Sequence, residues 1–206
     1  PELFKALVAE FVKSKYDLKH LMRLILNSRT YQSSAATKPT NAADVRFYSH
    51  YYTRRLPAEV LLDAIASATG VADEFPGYPR GLRAGQLPDP GLKSYFLSLF
   101  GRSERVTACA CERSGEVTMP QLLHLQNGDS VVRKIRAPEG RLAALLKADA
   151  NDAQVIDELF LATLSRRPTP EAIAAVKRSL TQDKREEVFR DLFWALLNSK
   201  EFAFNH

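Results

Sequence analysis

The stretch Val188-Phe189-Arg190-Asp191-Leu192-Phe193-Trp194-Ala195-Leu196-Leu197 decides the fold class. Its apolar residues Val188, Phe189, Leu192, Phe193, Leu196 and Leu197 recur in steps of three and four, which puts them on one face of an α-helix. The pattern repeats upstream. Val155, Ile156, Leu159, Phe160 and Leu164 make a second stripe, and Leu142, Leu145 and Leu146 a third. Between them, Thr169-Pro170-Glu171 is a cap followed by proline at the first helical position, leading into Ile173, Val176 and Leu180. Residues 139–206 therefore read as a C-terminal helical subregion.

The N-terminal end has the same grammar. Leu3, Phe4, Leu7, Val8, Phe11 and Val12 form one stripe, and Asp17 caps a second helix carrying Leu18, Leu21, Met22 and Ile25. Together they predict a short helical hairpin. Residues 33–44, with Pro39 and Asn41, read as a surface loop. Phe47, Tyr48, Tyr51 and Tyr52 suit one face of a helix, so packing at the core or its edge is expected. Pro57 precedes a helix over Ala58–Thr69, with Leu61, Leu62 and Ile65 inward and Gly70 closing it.

From residue 70 to 91, Gly70, Gly77, Gly81, Gly85 and Gly91 alternate with Pro76, Pro79, Pro88 and Pro90. Such a segment cannot be regular helix or central strand, and loops of this length in compact domains are often functional or flexible. A short helix with Leu92, Tyr95, Phe96, Leu99 and Phe100 follows, stopped by Gly101. Thr118 and Gln121 form a capping box ahead of Leu122, Leu123 and Leu125, and Asn127-Gly128-Asp129 reads as a helix stop and a new cap. No segment alternates strictly enough for a strand. The expectation is an all-α, irregular multi-helix bundle with a long Gly/Pro-rich loop, in a single helical domain over 1–206.

Composition narrows the function classes. With 45% hydrophobic and 26% charged residues the chain is an ordinary folded protein. No apolar run approaches the roughly 20 residues of a membrane-spanning helix, and the first residues lack the basic-then-apolar order of a signal peptide. The chain starts at Pro1 without Met, so it is read as part of a larger protein. A net charge of +5 invites a nucleic-acid reading. The longest basic groupings are only pairs, however: Arg54-Arg55, Arg166-Arg167 and Lys184-Arg185. A mixed, solvated surface is expected instead, with no nucleic-acid partner.

Residues 102–117 carry the most unusual chemistry: Arg102, Glu104, Arg105, Cys109, Cys111, Glu112, Arg113 and Glu116. Cys109 and Cys111 are two structural thiols, a short disulfide, or part of a weak metal site with His124 as third donor. Guanidinium groups of Arg102, Arg105 and Arg113 could hold a carboxylate, sulfate or phosphate; alternatively Arg113 pairs internally with Glu112, Glu104 or Glu116 and pins an irregular segment. His124 is an acid/base candidate or a satisfied, partly buried histidine. The candidate functional set is Arg102, Cys109, Cys111, Glu112, Arg113, His124 and Asn127. No nucleophile–base pair, phosphate-cradling glycine loop or metalloprotease helix motif occurs.

There is one internal echo. Leu24-Ile25-Leu26-Asn27-Ser28-Arg29-Thr30-Tyr31 matches Ala195-Leu196-Leu197-Asn198-Ser199-Lys200-Glu201-Phe202 in its Leu-Asn-Ser, basic residue and following aromatic. It is read as a repeated helix terminus, with Asn and Ser satisfying freed backbone groups.

An ordered set of short motifs identifies a family resemblance. Pro1-Glu2-Leu3-Phe4, Asp17-Leu18-Lys19-His20-Leu21, Asn27-Ser28-Arg29-Thr30-Tyr31-Gln32 and Arg54-Arg55-Leu56-Pro57-Ala58-Glu59 come first. Phe100-Gly101-Arg102, Cys109-Ala110-Cys111-Glu112-Arg113-Ser114, Leu123-His124-Leu125-Gln126-Asn127-Gly128 and Leu197-Asn198-Ser199-Lys200-Glu201-Phe202 follow. Over nearly its whole length the chain resembles the planctomycete domain of unknown function 1553. The resemblance implies a C-terminal module of large secreted or envelope proteins, behind another domain and often alongside a cytochrome c domain. It implies no established activity. No Cys-x-x-Cys-His is present, so no cofactor is expected in this chain and any haem would belong elsewhere in the parent protein.

Three functions follow as expectations. The first is a helical interaction module that docks onto the upstream domain of the same parent chain and completes a site at their junction. The second is a redox or metal-dependent enzyme component built on the Cys-x-Cys segment. The third is binding of anionic polysaccharide through the arginines.

Overall fold

Lys15 and Tyr16 take left-handed backbone angles, φ 56° and 65°, and reverse the chain between two helices, α1 (Glu2–Lys13) and α2 (Leu18–Leu26). In this computed structural model, residues 2–89, 91–103, 121 and 129–205 are described. The Asp17 carboxylate opens α2 by accepting the amides of Lys19 at 2.8 Å and His20 at 3.1 Å. Glu10 lies 3.2 Å from His20 Nε2 and 3.6 Å from Lys13, and the rings of Phe11 and Tyr16 meet edge to face at 5.4 Å. The expected hairpin is present, yet neither helix buries a single residue.

The aromatics of residues 47–52 do not form the expected helix. The Asp44 carboxylate accepts the amides of Arg46, Phe47 and Ser49, and Tyr48 sits at φ 55° with its amide donating to the Tyr52 hydroxyl at 2.8 Å. Side-chain acceptors of this kind offer the backbone an alternative to helical hydrogen bonds, and here the alternative wins. Phe47 and Tyr48 are consequently exposed, at 82% and 54%, and neither joins the core.

The chain separates into two compact units at Arg54/Arg55, a division that the expectation of one domain over 1–206 did not distinguish. The second unit contains α3 (Ala58–Thr69), a 3-10 turn (Ala84–Gln86), α4 (Tyr95–Leu99), α5 (Asp129–Arg136) and α6 (Arg141–Lys147). It continues with α7 (Asp152–Leu164), α8 (Pro170–Leu180), α9 (Arg185–Leu197) and α10 (Lys200–Ala203). Two-residue strands, β1 (Arg54–Arg55) and β2 (Phe204–Asn205), pair with each other and are the only strands among the described residues. The protein is all-α, as the periodicity required.

The core lies where α3, α7 and α9 pack together. Leu61 and Ile65 of α3, Val155, Ile156 and Leu159 of α7, and Phe189, Phe193 and Leu197 of α9 are almost completely buried. The stripes read from the sequence at Leu61–Ile65, Val155–Leu164 and Val188–Leu197 are thus the three walls of one apolar interior. Burial of each such side chain contributes about 1.5–3 kcal/mol.

Helix ends are satisfied by side chains from elsewhere. Gly70 closes α3 at φ 73°, and Arg141 covers the last α3 carbonyls, Nε donating to Ala68 O at 2.7 Å and Nη2 to Ser67 O at 3.0 Å. Thr169 caps α8 ahead of Pro170, as expected. The Gly/Pro-rich segment is laid onto α3: Asp63 accepts the amides of Ala84 at 2.7 Å and Gly85 at 3.0 Å, while Phe75, Ala84 and Leu87 are buried.

The sequence echo is a structural repeat of one helix terminus. Asn27 Nδ2 donates to Arg23 O and Asn198 Nδ2 to Trp194 O, both at 2.8 Å. Ser28 Oγ then accepts the Tyr31 amide at 3.2 Å, and Ser199 Oγ the Phe202 amide at 3.1 Å. Each Asn folds back onto the carbonyl four residues earlier, and each Ser caps the next turn.

Candidate functional site

Of the candidate set, Arg102 belongs to the described residues; Cys109, Cys111, Glu112, Arg113, His124 and Asn127 lie outside them. Arg102 follows the left-handed Gly101, φ 75°, which turns the chain out of α4. The Arg102 amide donates back to Leu97 O at 2.9 Å, fixing that turn. Its side chain is 4% exposed. Nη2 donates to Asp89 O at 3.0 Å and, more weakly, to Leu87 O at 3.5 Å.

Arg102 Nε faces Glu59 Oε1 at 3.6 Å. This distance is an ion-pair contact but too long for a hydrogen bond, and Nε and Nη1 accordingly find no hydrogen-bond acceptor among the described residues. Glu59, in the first turn of α3, is itself buried. Nearby in sequence, Arg55 Nη2 donates to Phe100 O at 2.9 Å, and its guanidinium lies 5.3 Å from the Phe100 ring centre. Burial pushes the Arg55 guanidinium below its ordinary value. Arg102 thus braces the end of the Gly/Pro-rich segment against α3 and α4. A side chain so placed cannot reach a polymer in solvent.

Among the described residues, no three His, Cys, Asp or Glu side chains come together as metal donors. His20 contacts Glu10, and both ring nitrogens of His50 face backbone carbonyls, Asp44 O and Tyr51 O, at 3.1 Å each. Neither is next to a nucleophile with which it forms a hydrogen bond among the described residues.

The more informative surface is on the first unit, and sequence reading did not single it out. Leu3 is 74% exposed, Phe4 72%, Leu18 60% and Met22 59%, with Val12 at 51% and Val8 at 45%. Phe4, Val8 and Val12 fall at steps of four along α1, and Leu18, Met22 and Ile25 at steps of four and three along α2. These are the anchor spacings of helices that lie in an apolar groove.

Charge is segregated in the same way. Residues 1–54 hold nine Lys and Arg against four Asp and Glu, whereas residues 55–206 hold twenty of each. The whole net charge of +5 therefore resides on the N-terminal 54 residues. The available signal was net charge counted by segment; run length hides it, because the cations stand singly.

These features define a helical module with a braced, arginine-bearing interior and an unpartnered amphipathic hairpin. The profile of the family described as "Protein of unknown function (DUF1553)" matches residues 1–86 and 82–180, and the chain belongs to that family. No curated protein and no solved structure matches the chain. No helix among the described residues is long and apolar enough to cross a membrane.

Proposed function

We propose that the chain is a non-catalytic helical interaction module of a large envelope or secreted protein, docking through its N-terminal hairpin onto the domain that precedes it in the parent chain. The observation that carries this reading is the exposure of the α1 and α2 apolar stripes. Helices of 12 and 9 residues are marginal alone and draw their stability from burying an amphipathic face. Here no residue of either helix is buried, and only Leu7, Phe11 and Leu21 of the apolar residues are half-buried. Nine large apolar side chains of the two helices, Leu3, Phe4, Val8, Val12, Leu18, Met22, Leu24, Ile25 and Leu26, are each at least 41% exposed.

The family resemblance supports the choice of an upstream domain, because it implies a multidomain setting. The redox and polysaccharide readings rest on residues 109–127 and on arginines, of which Arg102 is spent on internal bracing. Mixing the chain with the separately prepared upstream domain tests the docking reading. A complex with a raised melting temperature is expected. Two independent melting transitions and no complex by sedimentation would remove it.

A further inference from the structure

We propose that the surface receiving the hairpin is an apolar groove with an acidic rim, so that charge steers docking and apolar anchors hold it; this rests on the docking reading above. The argument starts from where the acids of residues 1–54 are spent. Asp17 caps α2, Asp44 holds the turn at residues 46–49, and Glu10 sits between Lys13 and His20. Only Glu2 remains to face solvent charge. Against it stand eight exposed cations among residues 2–53. On the hairpin itself these are Lys5, Lys13, Lys15, Lys19 and Arg23, and among the described residues only Lys13 reaches a carboxylate within ion-pair distance.

The cations border the anchors. Lys5 follows Leu3 and Phe4, Lys19 follows Leu18, and Arg23 follows Met22. At about 100° per residue, Lys5 and Lys19 fall at the edges of their apolar faces, three residues before Val8 and Met22, while Arg23 lies farther round α2. An apolar stripe edged by uncompensated cations fits a groove lined by aliphatic side chains and rimmed by Asp and Glu. Anchor spacing of this kind also suits a lipid surface; the choice of a protein groove follows from the docking reading, and the vesicle arm of the test separates the two.

The test titrates the intact chain into the separately prepared upstream domain by calorimetry and stopped flow, at about 50 mM and about 500 mM NaCl, which shortens the screening length severalfold. Affinity is expected to fall at least about tenfold at high salt, mainly through the association rate. The combined variant Lys5→Glu, Lys15→Glu, Lys19→Glu, Arg23→Glu should show a similar loss at low salt with an unchanged circular dichroism spectrum. Phe4→Ser with Met22→Ser should abolish the complex at both salts. Salt-insensitive binding that still fails with the apolar variant would overturn the acidic rim and leave docking standing. No complex under any condition would remove both. Binding to vesicles containing phosphatidylserine but not to the upstream domain would also overturn the proposal, in favour of a lipid surface.

Discussion

Lys134 Nζ lies 3.1 Å from Asp73 Oδ1, and the same ammonium donates to Val71 O at 2.6 Å. The contact ties the start of the Gly/Pro-rich segment to α5. Lys134 is 7% exposed, so removing it strands a largely buried carboxylate. Lys134→Ala should lower stability by about 3 kcal/mol, the cost of breaking a buried pair from one side. Urea titration followed by circular dichroism measures it. A change below about 0.5 kcal/mol would mean that the pair is solvated.

Asp73 also sets a pH dependence. Burial raises its carboxyl above the ordinary value, and Lys134 opposes that rise only in part. As pH climbs through the ordinary carboxylate range, the unfolded chain releases this proton first. The contribution of Asp73 is thus most favourable below about pH 4 and declines as pH rises to the folded-state value. Asp73→Asn should flatten that decline in a plot of urea midpoint against pH. Lys134→Ala should extend it to higher pH, because the larger of the two nearby attractions is gone and only that of Arg133 remains. An unaltered profile in both variants would contradict the assignment.

Arg102→Ala removes the donor to Asp89 O and the charge facing Glu59 together. About 2–3 kcal/mol should be lost, within the range for charged hydrogen bonds and an unpaired buried partner. Arg102→Lys should not restore it, since an ammonium lacks the planar fork that reaches a carbonyl and a carboxylate in different directions. Were Arg102 instead a solvent-facing contact for an anionic polymer, Arg102→Ala would leave the unfolding midpoint unchanged.

The helical stripes were legible because burial and period coincide: Val155, Leu159, Phe189 and Phe193 are buried where a 3.6-residue repeat puts them inward. Gly70 and Thr169-Pro170 were legible for a local reason, since left-handed geometry and a proline at the first helical position have few substitutes. The aromatic run at residues 47–52 misled, because its spacing fits a helix while the decisive residue, Asp44, stands outside it. Pairings such as Lys134 with Val71 and Asp63 with Ala84 join distant positions and leave no local pattern to read. The hairpin stripe was visible, but a stripe says only that a face is apolar; its exposure is a fact of the fold. Cys109, Cys111 and His124 stay expectations of the sequence.

Asp44 makes a second pH-sensitive element. Its carboxylate is held well below the usual range by hydrogen bonds from Ser49, Phe47 and Arg46. The sign is opposite to that of Asp73: the turn is favoured above the ordinary carboxylate value and is lost as pH falls through the depressed folded-state value. Amide exchange at Phe47 and Ser49 should therefore stay slow through mild acid and accelerate only in strong acid. Asp44→Asn should remove the pH dependence and speed exchange at neutral pH. Exchange rates that match the parent protein across the range would show that the turn holds without the carboxylate.

Asn27 and Asn198 make the same hydrogen bond, so comparing them separates local geometry from burial. Asn198 ends α9, where Leu196 and Leu197 are buried and the amide itself is partly shielded. Asn27 ends α2, where the neighbouring Ile25 and Leu26 are 41% and 46% exposed. Each carbonyl keeps the backbone amide of the Asn position, but a shielded one that loses its second donor cannot replace it fully with water, whereas an exposed one can. Asn198→Ala should thus cost about 1 kcal/mol, and Ser199→Ala a similar amount through loss of the α10 cap. Asn27→Ala should stay within about 0.5 kcal/mol. Docking of the hairpin onto a partner would shield Asn27 to the degree that Asn198 is already shielded, so in the complex the Asn27→Ala cost should rise toward the Asn198 value. Equal costs in the free chain would mean that the stop signal acts through local geometry alone.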